Sequence, residues 1–398
     1  MPPVVPGRAL LLITALLAVA APASAASLKS VSERTGIATG AALPTAMTRE
    51  QRSDVLRNFS AVTTERAFKW GDMSPTRGRM RFADTDRAVA WARRHHLRIR
   101  AHTLFWHRLE LPAWVPEAVD RAERPRALLR SLMRRRVERV VGRYAGRIDI
   151  WDVVNEPLAV LGAGWDTEDS VGSVRNIFYL TLGERYIDAA FRWAHRADPN
   201  GRLFLNELVW NPVLGDPKAD ALLALVRRLK RRGVPLDGVG LQTHGMLGVE
   251  PPWYPPSASA MARYMRALAR LGVRVEITEL DVALPLIEPP GRLAKQAALY
   301  RRAAAACGRV QACTGLTVWG LRDPDTWLDV FDLTKANAPN RPLLLDAAGR
   351  RKPAYRAVAE GLLERCRVSG RRRGRAPCRA ARQGRATRAS RAAPSPPG

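Results

Sequence analysis

The chain has 398 residues, 46% of them hydrophobic, and 65 Lys and Arg against 37 Asp and Glu, for a net charge of +28. That apolar content supports one large domain or two ordinary ones and excludes a chain disordered throughout. The basic balance is not that of a nucleic-acid module, because the arginine-rich stretch lacks interleaved aromatics and a recognisable fold around it.

Residues 1–25 read as a secretory signal peptide. Arg8 supplies the positive start and Ala9 to Ala21 an apolar run of 13 residues, short of the ~20 needed to span a bilayer; Ala23-Ser24-Ala25 forms an A-x-A cleavage site. A retained anchor is the alternative. The expectation is a secreted protein, extracellular or wall-associated, with no membrane span after cleavage.

From residue 26 to 365 short β-branched or apolar runs alternate with amphipathic segments. The predicted strands lie at 37–42, 60–65, 97–103, 147–156, 202–207, 238–244, 273–279 and 314–319. Helical periodicity falls at Arg49 to Arg57, Thr85 to His95, Pro125 to Tyr144, Glu184 to Ala197, Ala219 to Arg232, Ser257 to Leu271, Leu293 to Cys307 and Pro353 to Leu363. Eight strand–helix pairs predict an α/β fold, a (β/α)8 TIM barrel forming a single catalytic domain. An open doubly wound sheet fits the same alternation. Polar strand ends favour the barrel, where they converge on one mouth: Glu65 with Lys69, His102 with Trp106, Asn155 with Glu156, Asn206, Gln242 with His244, Glu279 with Asp281, and Trp319. No glycine-rich phosphate loop follows the first strand, so no nucleotide is implied.

Residues 366–398 hold ten arginines and no acid, and close in Ser, Pro and Gly, which predicts a disordered tail. The tail carries +10 and the leader +1, leaving +17 on residues 26–365. Such a tail suits contact with an anionic cell-wall polymer, or is simply solvated. In an exported protein Cys307 and Cys313 are placed to close a short disulfide loop, and Cys366 and Cys378 could pair across the tail. No Cys/His spacing suggests a metal site.

Two carboxylates carry the chemical argument. Glu156 in WDVVNEPL and Glu279 in VEITELDV each end an apolar strand, where a carboxylate is costly unless partnered or protonated. Cleaving an acetal requires two such groups, one to donate a proton to the leaving oxygen and one to act on the anomeric carbon. The motifs around them, in order, are FKW (68–70), AHTLFWH (101–107), LPAWV (111–115), WDVVNEPL (151–158), SVRNIFY (173–179), LGERYI (182–187), GVPLDGVGLQTHGM (233–246), VEITELDV (275–282), CTGLTVWGLRDPDTW (313–327) and PLLLDAAGRRKPAY (342–355). Over roughly 35–363 the chain resembles family 10 glycoside hydrolases, the endo-1,4-β-xylanases.

The resemblance implies a retaining mechanism with Glu156 as acid/base and Glu279 as nucleophile. It implies Asn155 at the sugar 2-hydroxyl and His244, held by Asp281, against Glu279. Gln242 would lie near the acid/base, and Glu65, Lys69, His102, Trp106, Trp319 and Trp327 would line the sugar sites. Glu156 is expected to stay protonated in the free enzyme and to release its proton more readily once Glu279 carries the sugar. Neither cofactor nor metal is implied. The partner is xylan or a related β-1,4-linked polysaccharide, and a monomer is expected.

The chain departs from the family pattern around this centre. Glu65-Arg66-Ala67-Phe68 replaces the usual E-N-E-M, so Arg66 stands where an amide holds the second glycone sugar. After Trp106-His107 the usual Ser/Asn-Gln gives way to Arg108-Leu109-Glu110, so the Gln is lost or replaced by Glu110. The fifth strand ends Asn206-Glu207-Leu208 instead of N-D-Y-N. The departures suggest weaker distal glycone binding or a preference for uronic-acid-bearing xylan. Another retaining β-glycosidase, or an inactive polysaccharide-binding protein, are the alternative functions.

Overall fold

The computed structural model describes residues 26–108, 110–160, 163–165, 167, 175–246, 255–284, 291–330 and 338–373. The parallel strands are β1 (Ala38–Leu43), β2 (Ala61–Thr64), β3 (Arg98–Ala101), β4 (Ile150–Asn155), β5 (Arg202–Glu207), β6 (Gly238–Leu241), β7 (His244–Met246), β8 (Arg274–Ala283) and β9 (Cys313–Val318). Each of β1 to β5 pairs with the next, β5 pairs with β6, β6 with β8, β8 with β9, and β9 returns to β1. The sheet therefore closes into an eight-staved (β/α)8 barrel. The strand expected over 238–244 is split: Gln242 and Thr243, the latter at φ 63°, separate β6 from β7. The break offsets His244 so that it pairs with Asp281 of β8.

All eight predicted helices are present, with Pro125–Tyr144 as expected, its Pro at the first turn where no backbone donor is lost. Helices Leu28–Thr35, Trp70–Met73, Trp114–Asp120 and Ile177–Leu182 were not predicted; segments of eight residues or fewer show too little periodicity. Ser27 caps the first of them and Gly36, left-handed at φ 69°, ends it. Its Leu28 amide donates to the Tyr355 hydroxyl at 2.8 Å, tying it to helix Pro353–Leu362.

The outer helices bury an apolar layer against the strands, with Val137, Val140, Val141, Ile187, Phe191, Leu222, Leu225 and Tyr264 essentially inaccessible. At about 1.5–3 kcal/mol for each fully buried large apolar side chain, this layer is the main source of stability. The barrel interior is different, because it holds ions. Arg98 and Arg100 of β3 grip the Glu276 carboxylate of β8, at 2.5 and 2.7 Å, and Arg100 also pairs with Asp152 of β4. Burial alone would push the Glu276 carboxyl up, but the two guanidiniums hold it down at about 2. Gly315 makes room for this carboxylate: a Cβ there would lie 2.7 Å from a Glu276 oxygen.

Helix Glu364–Arg373 runs past residue 366, where the sequence predicts the tail to begin. Composition missed its anchor. Arg365 is buried and donates to the carbonyls of Cys307, Gly308, Val310 and Cys313, the ends of two neighbouring elements. Cys307 and Cys313 form a disulfide. Cys378, residues 374–398 and the leader lie outside the described residues, as do Ser173 and Val174 of the SVRNIFY motif. Among the described residues no helix is long and apolar enough to cross a membrane.

Candidate active site

At the carboxyl ends of the strands a cleft of about 310 Å³ opens. The barrel brings to it eleven of the predicted residues: Glu65, Lys69, His102, Trp106, Asn155, Glu156, Gln242, His244, Glu279, Trp319 and Trp327. Asp281 stands behind His244 and does not line the cleft. The sequence did not single out Trp210, two residues past its strand-end motif, nor Arg108 as a site residue, although both line the cleft.

Glu156 follows the last residue of β4 in a left-handed conformation, φ 50°, uncommon for a residue with a side chain. Its amide is fixed by the Asn206 carbonyl at 2.9 Å. Next to each glutamate the ladder is irregular, shifting register between Asp152 and Val154 on β4 and between Ile277 and Leu280 on β8. Such irregularities re-aim side chains at strand ends.

Amides connect the two carboxylates. Gln242 donates to Glu156 Oε1 at 2.8 Å and reaches Asn155 Oδ1 at 3.3 Å. Asn206 donates to Asn155 Oδ1 at 2.8 Å and to Glu279 Oε1 at 2.6 Å, while accepting from Thr278 at 2.7 Å. Gly240 permits this bridge, because a Cβ there would fall 2.1 Å from the Asn206 oxygen. His244 completes the cradle. Its Nε2 lies 3.3 Å from Glu279 Oε2 and its Nδ1 2.9 Å from Asp281 Oδ1, while Trp327 Nε1 donates to the other Asp281 oxygen at 2.8 Å. Burial disfavours a charged imidazole, but Asp281 and Glu279 outweigh it and raise the His244 pKa to about 10.

The opposite wall is built on charges. Lys69 Nζ lies 3.0 Å from Glu110 Oε1 and 4.7 Å from the Trp106 ring centre. Arg66 reaches the same Glu110 oxygen at 3.4 Å and Asp72 at 3.0 Å. Arg66 is thus already engaged by two carboxylates. The Glu110 Oε2 is buried with no partner among the described residues. Glu65 is half-buried, and desolvation pushes its carboxyl up against the opposing pull of Lys69 and Arg66. His102 Nδ1 sits 3.1 Å from Asp152 Oδ2, and its ring meets Trp319 edge-on at 5.0 Å. Buried Arg136 of helix Pro125–Tyr144 ties this wall together by donating to the carbonyls of Phe68 and Leu104 at 2.6 and 2.8 Å. Desolvation lowers its pKa to about 9.

The groups around Glu156 pull against the protonated form that the sequence leads one to expect. Burial pushes this carboxyl up, but the Arg108 guanidinium 3.3 Å from Oε2, the Gln242 amide, Lys218 and the Trp106 indole at 3.0 Å together hold it below its ordinary value. Behind it, Glu207 is fully buried and accepts from the Leu158 and Leu208 amides at 3.1 and 2.9 Å, with Lys218 3.2 Å away. Its carboxyl is pushed up to about 7, by desolvation first, against Lys218 and with repulsion from Glu156. The arrangement can polarise and protonate an acetal oxygen from one side and attack its carbon from the other. Among the described residues no group of three or more His, Cys, Asp or Glu is arranged to hold a metal.

Residues 27–361 match the family described as glycosyl hydrolase family 10. Among similar proteins is endo-1,4-beta-xylanase B of Humicola insolens, 33% identical over 317 residues, covering 79% of this chain and 81% of the relative. Endo-1,4-beta-xylanase A of Phanerodontia chrysosporium is 34% identical over 304 residues, 76% of this chain and 68% of that one. Xylanase 10B of Thermotoga maritima superposes with a TM-score of 0.72 at 28% identity, covering 85% of this chain and 98% of that structure. Xylanase 10B of Thermotoga petrophila, solved with xylobiose, matches equally, with a TM-score of 0.72 over 86% of this chain and 98% of that one.

Proposed function

Because the chain belongs to glycosyl hydrolase family 10, we propose that it is an exported, retaining endo-1,4-β-xylanase acting through Glu156 and Glu279. One observation carries this reading: two glutamates, one just past the end of β4 and one within β8, face one cleft and are joined through Asn155, Asn206 and Gln242. Bridging amides orient both carboxylates without titrating themselves across the working pH range.

In the first half-reaction a Glu279 oxygen forms a bond to the anomeric carbon as the glycosidic C–O bond breaks, and the Glu156 proton passes to the departing oxygen. In the second, water gives its proton to Glu156 and bonds to the same carbon, releasing Glu279. Two inversions leave the configuration unchanged. Asn155 is positioned at the sugar 2-hydroxyl, and His244, with Asp281 and Trp327 behind it, orients Glu279. Lys69, His102, Trp106 and Glu65 contact the glycone sugars, while Trp319 and Trp327 offer faces to sugar C–H groups. Export rests on the leader read from residues 1–25, and the domain bounds 26–365 on the pattern of strands and helices. The basic tail is proposed to contact anionic polymer.

The test is reducing-sugar release from xylan, cellulose and mixed-linkage glucan, with the anomer of the first product followed by NMR. Preferential xylan cleavage giving the β-anomer is expected. Glucan preference points to a β-glycosidase of other specificity, and no release from any of the three points to a binding protein.

A further inference from the structure

Arg108 directly follows the Trp106-His107 pair, in a segment where the chain departs from its family pattern. Its side chain is only 7% exposed, and its Nε lies 3.3 Å from Glu156 Oε2, a carboxylate that is itself 12% exposed. The remaining neighbours of Glu156 do not substitute for this cation. Trp106, Gln242 and Asn155 are neutral donors. Lys218, on helix Pro217–Arg231, is 3.2 Å from Glu207 of β5 and donates to the Ala159 carbonyl at 2.6 Å, so its charge is largely committed there. Glu207 repels Glu156. Across the cleft, Glu279 is linked to it through amides, with the cationic His244 beyond.

We propose that Arg108 is a positioning residue that, through its ion pair with Glu156, confines the proton-donating half of the double displacement to acidic pH. The inference rests on the two-glutamate reading above. A guanidinium beside the carboxylate stabilises the form that has lost its proton. Protonated Glu156 is then a stronger acid, but it is present over a narrower range. Above that range cleavage of an ordinary sugar leaving group falls about tenfold per pH unit, because the departing oxygen must receive a proton. A dinitrophenolate leaves without one, so its release escapes the restriction. The second half-reaction uses Glu156 ionised and is not confined in this way.

The experiment compares pH profiles of kcat/KM on a xylo-oligosaccharide and on dinitrophenyl β-xylobioside, for the wild-type full chain, Arg108→Gln and Arg108→Lys. The expected result is a basic limb on the oligosaccharide displaced upward by about one pH unit in Arg108→Gln, about tenfold more activity on the descending arm. Arg108→Lys, which keeps the charge, should restore most of the wild-type limb, and the dinitrophenyl limb should not follow the charge. Coincident oligosaccharide limbs in wild type and Arg108→Gln overturn the proposal, as does an equal shift on both substrates. Should Arg108→Gln fail to fold, a ¹³C NMR titration of Glu156 in the wild-type protein decides the matter. Titration below the ordinary glutamate value supports the proposal, and titration above it overturns it. Xylan hydrolysis by the wild type with an unmoved limb sinks this inference alone. Absence of any glycoside hydrolysis sinks the functional reading, and the titration still judges the ion pair.

Discussion

The two walls of the cleft solve the same problem with different chemistry. On the wall from β4 to β8, the glutamates are held mainly by Asn155, Asn206, Gln242 and one histidine. On the wall from β2 and β3, Lys69, Arg66, Glu110 and Asp72 hold one another as ions. Amides orient a carboxylate without changing charge with pH and add no long-range field. Ion pairs do both, so the first wall sets the reaction and the second sets which chains, salts and pH values it tolerates. Arg108 belongs by position to the second wall, yet it touches the first.

The largest effects should separate the two glutamates on the amide wall. Glu279→Ala removes the group that bonds to carbon, so it should abolish turnover of xylo-oligosaccharides and of dinitrophenyl β-xylobioside alike. Glu156→Ala should cost about 10²–10⁴-fold on ordinary leaving groups. It should cost far less in the first step of the dinitrophenyl substrate, whose accumulated glycosyl-enzyme would appear as a burst. Wild-type-like xylan cleavage by Glu156→Ala would falsify the assignment.

A smaller effect tests the support behind the nucleophile. Asp281→Asn replaces the charge that keeps His244 cationic, the loss of a charged hydrogen bond worth about 1.5–3 kcal/mol, and should reduce kcat/KM roughly 10–100-fold. The same variant has a pH signature in stability. Because His244 titrates at about 10 in the folded protein and near its ordinary ~6.5 unfolded, its contribution is complete below ~6.5 and is lost as pH rises through about 10. Wild-type thermal stability should therefore fall across that window, and Asp281→Asn should flatten the fall. Parallel melting curves for the two proteins over pH 6 to 10 would contradict the imidazolium.

Legibility in the sequence followed the same division. The barrel was readable because each strand is a short apolar run with a polar end, and the amide wall because its residues sit inside contiguous motifs. Glu156 and Glu279 could be paired across 123 residues only because each is embedded in such a motif. The charged wall was half legible. Arg66 and Glu110 stood out as departures, yet that they neutralise each other depends on side-chain reach between β2 and β3, which no spacing encodes. The pull of Arg108 on Glu156 was not legible for the same reason: the donor motif is local, whereas Arg108 reaches it from the segment after β3. The helical start of the tail was missed because composition counts its arginines but does not show Arg365 capping the carbonyls around Val310.

The smallest effect concerns substrate choice on the charged wall. Arg66 was expected to attract uronic-acid substituents, but Asp72 and Glu110 already occupy it, and it is about half exposed. Partly exposed ion pairs are worth about 0–1 kcal/mol, so Arg66→Asn should shift the melting temperature by no more than a degree or two. It should also change the ratio of kcat/KM on glucuronate-decorated to plain oligosaccharides by less than about twofold. Glu110→Gln is the more informative change, because it releases Lys69 from its carboxylate and leaves Arg66 held by Asp72 alone. The decorated-to-plain ratio should then rise about two- to fivefold, and the gain should shrink as salt is added, since the exposed part of the attraction is screened over ~8–10 Å. A ratio unmoved by Glu110→Gln at low salt would mean that the cations of this wall never face the substrate, and that their pairing with Glu110 serves only to hold the β2 and β3 loops together.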